Sequence, residues 1–217
     1  LARGFCLINN AAVAAAHALD RGLARVAIVD FDVHHGNGTQ EIFEADPRVL
    51  YVSTHQWPLY PGTGSAEDVG VGAGRGCTVN VPMERGATDG DYDLVFEAIV
   101  APVTTRFAPE LVIISAGFDA HEEDPIGGMR VSANGFASLT GQLCAVADGC
   151  AAGRVVLVTE GGYHLRALAA SLAASLSAME SGAKPDPVPG EGGGVSGRGL
   201  AAAERARAAQ SAFWRGL

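Results

Sequence analysis

The sequence has little lysine, few aromatic residues and no clustered positive charge. Lys184 is the single lysine, and 14 arginines supply the rest of the 15 basic residues without forming a run. The net charge is −9 at neutral pH. Nucleic-acid-binding proteins usually present a basic face, so direct nucleic-acid binding is not expected. Arginine in place of lysine, together with abundant alanine and glycine, is typical of a GC-rich bacterial genome.

Signals for membranes, secretion and disulfides are also lacking. No uncharged apolar run reaches the roughly 18–20 residues of a membrane span. No charged segment followed by an apolar one opens the sequence, so we expect no signal peptide. The four cysteines, at positions 6, 77, 144 and 150, form no C-x-x-C pair. This favours reduced thiols over disulfides or a thiolate metal site, and we expect a cytoplasmic protein that does not contact membranes.

Short apolar runs alternate with amphipathic segments along the 217 residues. The runs are rich in Val and Ile, which is typical of strands covered on both faces. The predicted strands are Arg25–Asp30, Val49–Ser53, Cys77–Val81, Leu111–Ser115 and Val155–Thr159. The predicted helices are Asn10–Asp20, Thr39–Ala45, Asp89–Phe107, Ser132 to about Cys150, His164–Met179 and Ala201–Trp214.

This alternation predicts one α/β domain with a mainly parallel sheet flanked by helices. A hydrophobic content of 48% is enough for a substantial core. The segment Ser181–Gly199 is rich in proline and glycine, which predicts a loop across the surface before the last helix. We find no internal repeat and no second domain.

Acids and histidines follow the predicted strands, where open parallel sheets bind ligands. Asp32 and His34 are two residues apart, so on an extended segment their side chains point the same way. Asp119 follows another strand and completes an O, N, O set. Catalytic zinc sites use three such ligands and leave a fourth position open, and Fe²⁺ can use the same set.

A structural interpretation competes with this one. An isolated Asp-x-His is more often a loop acid beside a packed histidine. The chain, however, places Asp30, Asp32, His34 and His35 together after one strand. Unpaired buried acids are costly and a cation removes that cost, so the cluster favours a metal site. Further along the chain, His55 and His121 also lie near the strand ends and are expected to be structural.

Tyr163 follows two glycines, Gly161 and Gly162, which allow a tight turn that aims the phenol at a neighbour. A phenol stays protonated at neutral pH and can donate a hydrogen bond to a developing oxyanion. Taken alone, a tyrosine at the start of a helix is more often structural.

Four motifs occur in order: DFDVHHGNGTQ at 30–40, YPGTG at 60–64, SAGFDA at 115–120 and EGGY at 160–163. Together they resemble the zinc-dependent histone deacetylase superfamily. The form of the first motif, with Asn37, resembles the class II branch and its bacterial deacetylase-like amidohydrolases. The resemblance extends over most of the chain and fades within residues 181–217. It implies the arginase/deacetylase α/β fold.

The resemblance also implies roles for individual residues. It makes Asp32, His34 and Asp119 the zinc ligands and Tyr163 the donor to the tetrahedral oxyanion. His35, Asn37, Gly161 and Gly162 are then neighbouring positions that support the site.

The resemblance further implies a substrate channel. Gly4 and Phe5 fall on one wall of an acyl-lysine channel, and Tyr60 falls on the opposite wall. Ile126 falls where polyamine-specific relatives are expected to carry an acidic residue, which favours an acyl-lysine or another neutral substrate.

Two buried sites for a monovalent cation, K⁺ or Na⁺, are implied as well. The first consists of Asp30, Ser53 and the backbone carbonyls of Asp32, His34 and Thr54. The second consists of the backbone carbonyls of Phe43, Asp46, Val49 and Cys77.

The family's mechanism needs more than a metal. A general base and a general acid must move protons, and in the family a tandem histidine pair upstream of the Gly4–Cys6 motif does this. That pair is not in this sequence, and Asp30 and Asn37 match the residues that would orient it. Because the chain starts at Leu1, already inside a motif, we expect residues 1–217 to be an N-terminally truncated, partial deacetylase domain that is inactive alone.

Two functions remain open at this point. In the first, the longer protein removes acetyl or other acyl groups from lysine side chains of peptides and proteins, or from small acylated amines. In the second, the protein is a metal-binding pseudoenzyme or binding module.

Overall fold

The computed structural model describes residues 6–182 and 193–217. Five strands form one parallel sheet in the order β3-β2-β1-β4-β5. The strands are β1 (Val26–Asp30), β2 (Val49–Gln56), β3 (Thr78–Met83), β4 (Leu111–Ala116) and β5 (Val155–Thr159). The predicted parallel α/β architecture is confirmed, and each strand lies within three residues of its predicted bounds.

The largest boundary difference is at the end of β2, which continues through Thr54 to Gln56. These polar residues do not extend the apolar run that predicted the strand. They are nevertheless in the sheet because β3 pairs with them, with Gln56 level with Met83. Pairing with a neighbouring strand therefore decided the length of β2.

The helices cover both faces of the sheet. They are α1 (Asn10–Asp20), α2 (Asn37–Phe43), α3 (Asp89–Val95), α4 (Ala101–Phe107), α5 (Ala133–Cys150), α6 (Leu165–Ser181) and α7 (Gly197–Gln210). A π-helical segment, Phe96–Val100, joins α3 to α4, so the helix predicted over 89–107 is continuous but contains a wider turn. Among the described residues, no helix is both long enough and apolar enough to cross a membrane.

The predicted bounds of the C-terminal segment are wrong. Helix α6 continues to Ser181, and α7 begins at Gly197 instead of Ala201. Ser196 caps α7 by accepting the backbone N–H of Arg198, and a hydrogen bond from Ser196 to Asp91 fixes that cap in place. The helix ends at Gln210, before the predicted end. The proline-rich part of the predicted loop lies outside the described residues.

Two hydrophobic clusters pack against opposite faces of the sheet. The larger cluster includes Phe31, Phe118 and Phe136, whose ring centroids are 5.1–6.1 Å apart. The smaller cluster packs α1 against the other face. Phe31 is the first residue after β1 and Phe118 the second after β4, so this aromatic packing supports the segments that carry the polar residues at the strand ends.

Candidate metal centre

The carboxyl ends of the neighbouring strands β1 and β4 bring the predicted ligands together. Asp32 and His34 follow β1, and Asp119 follows its neighbour β4. One ligand atom from each side chain lies within 4.8 Å of the other two. Three residues separated by up to 87 positions (119 − 32 = 87) therefore form one cluster, as the parallel topology requires.

His34 lies between the two carboxylates. Its Nδ1 is 3.0 Å from Asp32 Oδ1 and 3.1 Å from Asp119 Oδ2. Asp119 is fully buried and its Oδ1 accepts the backbone N–H of Val33 at 2.9 Å. Asp32 Oδ2 accepts the backbone N–H of Gly161 at 3.1 Å. Backbone groups thus orient both acids and leave ligand atoms facing the same space.

The second carboxylate oxygen of Asp119, Oδ2, indicates whether a cation fits this cluster. Asp119 Oδ2 accepts no hydrogen bond from the described part of the chain. His34 Nδ1 lies 3.1 Å from this oxygen, at an ion-pair distance. A buried carboxylate oxygen without a donor costs about 1–3 kcal/mol or more, and a bound cation would offset that cost. Two carboxylates and one imidazole suit zinc, so the residues fit the metal.

The electrostatics of the cluster also favour an added positive charge. Burial and the negative charge of Asp32 raise the pKa of Asp119 to about 6. Burial alone lowers the pKa of His34, but the neighbouring carboxylates of Asp119 and Asp32 outweigh it and raise this pKa to about 10. Burial and Asp32 also raise the pKa of Asp30. In the absence of a metal, a proton on His34 neutralises part of this charge.

Two glycines allow the acids to come this close. A Cβ at Gly117 would overlap the carboxylate of Asp32, and a Cβ at Gly161 would overlap that of Asp119. Gly161 is among the predicted supporting positions, whereas Gly117 was missed. Its signal in the sequence is its place within the SAGFDA motif, directly after β4.

The cluster opens into a cavity of about 660 Å³. Tyr60 and Tyr163 both lie on its wall, and the Tyr60 ring meets the His34 ring edge-on with centroids 6.2 Å apart. Tyr163 is 44% exposed. Ile126 is 46% exposed and is not among the described residues that line this cavity. The predicted channel residues Gly4 and Phe5 lie outside the described residues.

His35 and His55 are buried beside the cluster with rings 4.8 Å apart. His35 Nδ1 is 2.8 Å from Thr63 Oγ1 and its Nε2 is 2.9 Å from Gln40 Oε1. Burial lowers the pKa of both, and that of His55 falls to about 3, with the nearby His35 contributing. Asn37, the first residue of α2, is buried near them. Both imidazoles are therefore neutral parts of the packing.

The residues of the first predicted cation site adjoin one another on β1 and β2. Asp30 pairs in register with Ser53, and its carboxylate accepts hydrogen bonds from the Tyr51 hydroxyl and the Asp32 N–H. Ser53 Oγ is 3.0 Å from His55 Nδ1. The Thr54 hydroxyl donates to the Asp30 carbonyl at 3.4 Å.

Carbonyls of the second predicted cation site lie around the turn between α2 and β2. The Phe43 and Asp46 carbonyls accept N–H groups of that turn, from Asp46 and Val49. The Cys77 carbonyl accepts the N–H of Tyr51. Each of these three oxygens retains a second lone pair.

The sequence is similar to those of known deacetylases. The histone deacetylase domain model matches residues 1–179. A probable deacetylase of Archaeoglobus fulgidus is 48% identical over 162 residues, covering 75% of this chain and 45% of that protein. The human polyamine deacetylase HDAC10 is 43% identical over 226 aligned positions, covering 100% of this chain and 32% of that protein.

Solved structures agree with the sequence comparison. The crystal structure of the HDA15 HD domain matches with a TM-score of 0.88 at 43% identity, over 98% of this chain and 57% of that chain. The histone deacetylase Clr3 matches with a TM-score of 0.88 at 39% identity, over 96% of this chain and 36% of that chain. The chain spans less than half of each of the two curated relatives described above. With the domain model matched over most of its length, the chain belongs to the histone deacetylase family.

Proposed function

We propose that this chain is the metal-binding part of a zinc-dependent deacylase. Its substrates would be acetylated or otherwise acylated lysine side chains, or small acylated amines. The observation that carries the proposal is the convergence of Asp32, His34 and Asp119 on the cavity that Tyr163 lines. Asp119 Oδ2 is buried there and has no hydrogen-bond donor among the described residues. The donor set suits zinc, and Fe²⁺ remains a second candidate for the same ligands.

Zinc held by these three residues would polarise the acyl carbonyl and lower the pKa of water. Tyr163 would donate its phenolic hydrogen to the carbonyl oxygen as that oxygen gains negative charge. Burial and the charges of Asp119 and Asp32 raise the pKa of this phenol, so it stays protonated near neutral pH. A donor of this kind contributes about 10²–10³ in kcat in known enzymes.

Neither of the two histidines on the described cavity wall is available for proton transfer. His34 faces the acids, and His35 is hydrogen-bonded to Thr63 and Gln40. We place the acid/base pair in a part of the longer protein outside these 217 residues, next to Asp30 and Asn37. The share of the relatives covered by this chain supports this proposal. Val156, 42% exposed on the edge strand β5, supports it because an edge strand of this kind can pack against a further segment.

The proposed substrate is neutral at the reacting end. Tyr60 would form one wall of the channel, opposite Gly4 and Phe5, and the apolar Ile126 would offer a cationic chain no acidic partner at its own position. Monovalent cations would occupy the two predicted sites near β1 and β2. The proposed location is the cytoplasm.

A second function is metal-dependent binding without catalysis. One feature of the described cavity wall favours this second function. The two histidines of the wall, His34 and His35, both have partners and neither is free to act as a general base. The two functions make the same prediction for metal binding and opposite predictions for turnover of the longer protein.

The first experiment measures zinc in the purified chain by mass spectrometry. We expect about one zinc ion per chain, a large loss in Asp119→Asn, and no change in the control Asp20→Asn, which removes an exposed acid far from the cluster. Equal zinc contents in all three proteins would contradict the proposed site.

The second experiment measures acetate release from acetyl-lysine peptides. The chain alone is expected to show none, and the protein with its upstream coding sequence restored is expected to show turnover. Turnover by the 217-residue chain would contradict the requirement for a separate acid/base pair. Metal binding without turnover in the longer protein would favour the pseudoenzyme.

A further inference from the structure

Asp124 is a buried carboxylate in the loop between β4 and α5, and it was not a predicted site residue. It is 8% exposed. Its Oδ1 accepts backbone N–H groups of Ile126 at 2.9 Å and Gly127 at 3.3 Å. Its Oδ2 accepts the backbone N–H of Tyr163 at 2.7 Å. One side chain therefore connects the loop after β4 to the turn after β5.

The turn that carries Tyr163 is held at both ends by carboxylates. The N–H of Gly161 donates to Asp32 Oδ2, and the N–H of Tyr163 donates to Asp124 Oδ2. Between them Gly162 has φ +137°, a conformation that a residue with a Cβ rarely adopts. The path of this backbone is thus set by one acid of the metal cluster and by Asp124.

The Tyr163 side chain depends on this support. The side chain is 44% exposed, and within residues 6–182 and 193–217 its hydroxyl makes no direct hydrogen bond. The location of the hydroxyl therefore follows from the backbone that carries it. Hydrogen bonds to a charged acceptor are stronger than those between neutral groups, and burial of Asp124 keeps water from competing for it.

We infer that Asp124 is a positioning residue, which holds the Tyr163 phenol where it can meet the acyl oxygen of the substrate. The inference rests on the proposed role of Tyr163 as oxyanion donor. The same carboxylate holds the Ile126 backbone, so it also sets the loop that carries a predicted channel residue. Preorganisation matters here because a misplacement of about 1 Å can cost about 10²-fold in rate.

The first test needs no metal. The chain is labelled with 3-fluorotyrosine, and the four tyrosine signals are followed by ¹⁹F NMR. Tyr163→Phe assigns the Tyr163 signal. In Asp124→Ala we expect that signal to shift or broaden while the other three stay in place, and in the control Glu122→Ala, an exposed acid of the same loop, all four stay in place.

An unchanged Tyr163 signal in Asp124→Ala would overturn the inference. In Asp124→Ala the three backbone N–H groups that donate to the carboxylate lose their acceptor, which can prevent folding. Asp124→Asn then serves as the second variant. The amide can keep its Oδ1 bonds to the loop, but it has lost the charged acceptor for Tyr163. The same selective change is expected in Asp124→Asn, and its absence there would equally overturn the inference.

The second test uses the zinc-loaded chain and acetohydroxamate, a small zinc chelator whose carbonyl stands in for the acyl group. Calorimetry is expected to show about tenfold weaker binding in Tyr163→Phe and about three- to tenfold weaker binding in Asp124→Asn. The double variant should bind no more weakly than Tyr163→Phe, because both changes remove the same hydrogen bond.

Unchanged affinity in Asp124→Asn, or fully additive losses in the double variant, would overturn the positioning role. A wild-type chain that binds no zinc, or a Tyr163→Phe variant with full affinity, would contradict the proposed function instead. In that case the fluorine spectra still decide whether Asp124 positions the phenol.

Discussion

Two buried aspartates, Asp91 and Asp119, differ in the number of hydrogen bonds that their carboxylates accept. Asp91, in α3, accepts five hydrogen bonds at 2.6–3.1 Å from Thr88, Ser196 and Gly199. Asp119, after β4, accepts one from Val33, and within the described part of the chain its Oδ2 accepts none. Both residues are fully buried. The two aspartates are therefore distinguished by their hydrogen bonds and not by their solvent exposure.

The pKa values follow the same division. Burial raises the pKa of Asp91, but the backbone N–H groups of Ser196 and Thr88 outweigh it, and the pKa lies below its ordinary value. Burial and Asp32 raise the pKa of Asp119 to about 6. A carboxylate with many donors holds the fold together, whereas one with few donors is available to a cation.

The largest effect is expected from Asp91→Ala. The free energy of unfolding should fall by about 3–5 kcal/mol, because the donors around the lost carboxylate stay buried without a charged acceptor. Urea denaturation measures this. The control Asp148→Ala removes an exposed acid and should change stability by about 0.5 kcal/mol or less. If Asp91→Ala were as stable as Asp148→Ala, the hydrogen bonds of Asp91 would not stabilise the fold, and the proposed difference between Asp91 and Asp119 would be wrong.

Zinc should stabilise the chain through Asp119 and not through Asp91. At free zinc about 100 times its Kd, the free energy of unfolding should rise by about 2.7 kcal/mol. The increase should be nearly absent in Asp119→Asn and retained in Asp91→Asn, which starts from lower stability. Urea denaturation with and without zinc measures both. An undiminished increase in Asp119→Asn would exclude Asp119 as a ligand.

Without metal, Asp119→Asn should lower the free energy of unfolding by no more than about 1 kcal/mol. The amide oxygen can still accept the N–H of Val33, and the substitution removes the negative charge from a buried group whose Oδ2 accepts no hydrogen bond from the described residues. Denaturation in the presence of a chelator checks this value. A loss comparable to that of Asp91→Ala would make Asp119 a structural acid.

The pH dependence should have opposite signs at the two positions. Asp91 has a lowered folded pKa, so its contribution is present above its unfolded pKa of about 3.9 and is lost as the pH falls through the folded value. Asp119 has a raised folded pKa. Its stabilising protonation is therefore complete below about pH 3.9 and is lost as the pH rises through about 6.

The measurement is the difference in unfolding free energy between wild type and each Asn variant, in metal-free buffer from pH 3 to 7. The wild-type advantage over Asp91→Asn should shrink towards the acidic end. Relative to Asp119→Asn, wild type should lose stability between about pH 4 and 6. The same sign at both positions would contradict the assignment.

Local sequence patterns predicted most of the fold. The Val- and Ile-rich runs identified every strand, because a strand buried on both faces needs apolar residues throughout. The start of α7 was missed because hydrogen bonds from the N–H groups of Ser196 and Gly199 to Asp91 fix it. Asp91 lies 105 positions before Ser196, so no local pattern indicates this contact. The end of β2 was missed because β3 decides it.

At the site, the motifs predicted Asp32, His34 and Asp119 as ligands, and the structure brings these three side chains together. The motifs also predicted Tyr163, which lies on the wall of the same cavity. Gly117 and Asp124 were missed for a common reason. Gly117 matters because Asp32 approaches it from another strand end, and Asp124 matters because it accepts the N–H of Tyr163, 39 positions away. Neither contact leaves a local pattern of apolar spacing or ligand spacing.

By itself, the sequence determined the parallel sheet, the strand ends that carry the chemistry and the residue types available there. These depend on local hydrophobic runs and on the period of side chains along a strand, which can be read over a few residues. Only the tertiary structure decided which buried carboxylate accepts hydrogen bonds on both oxygens and which has an oxygen that accepts none from the described residues. Donors for Asp91, Asp119 and Asp124 come from segments distant along the chain, and their number sets each carboxylate's role.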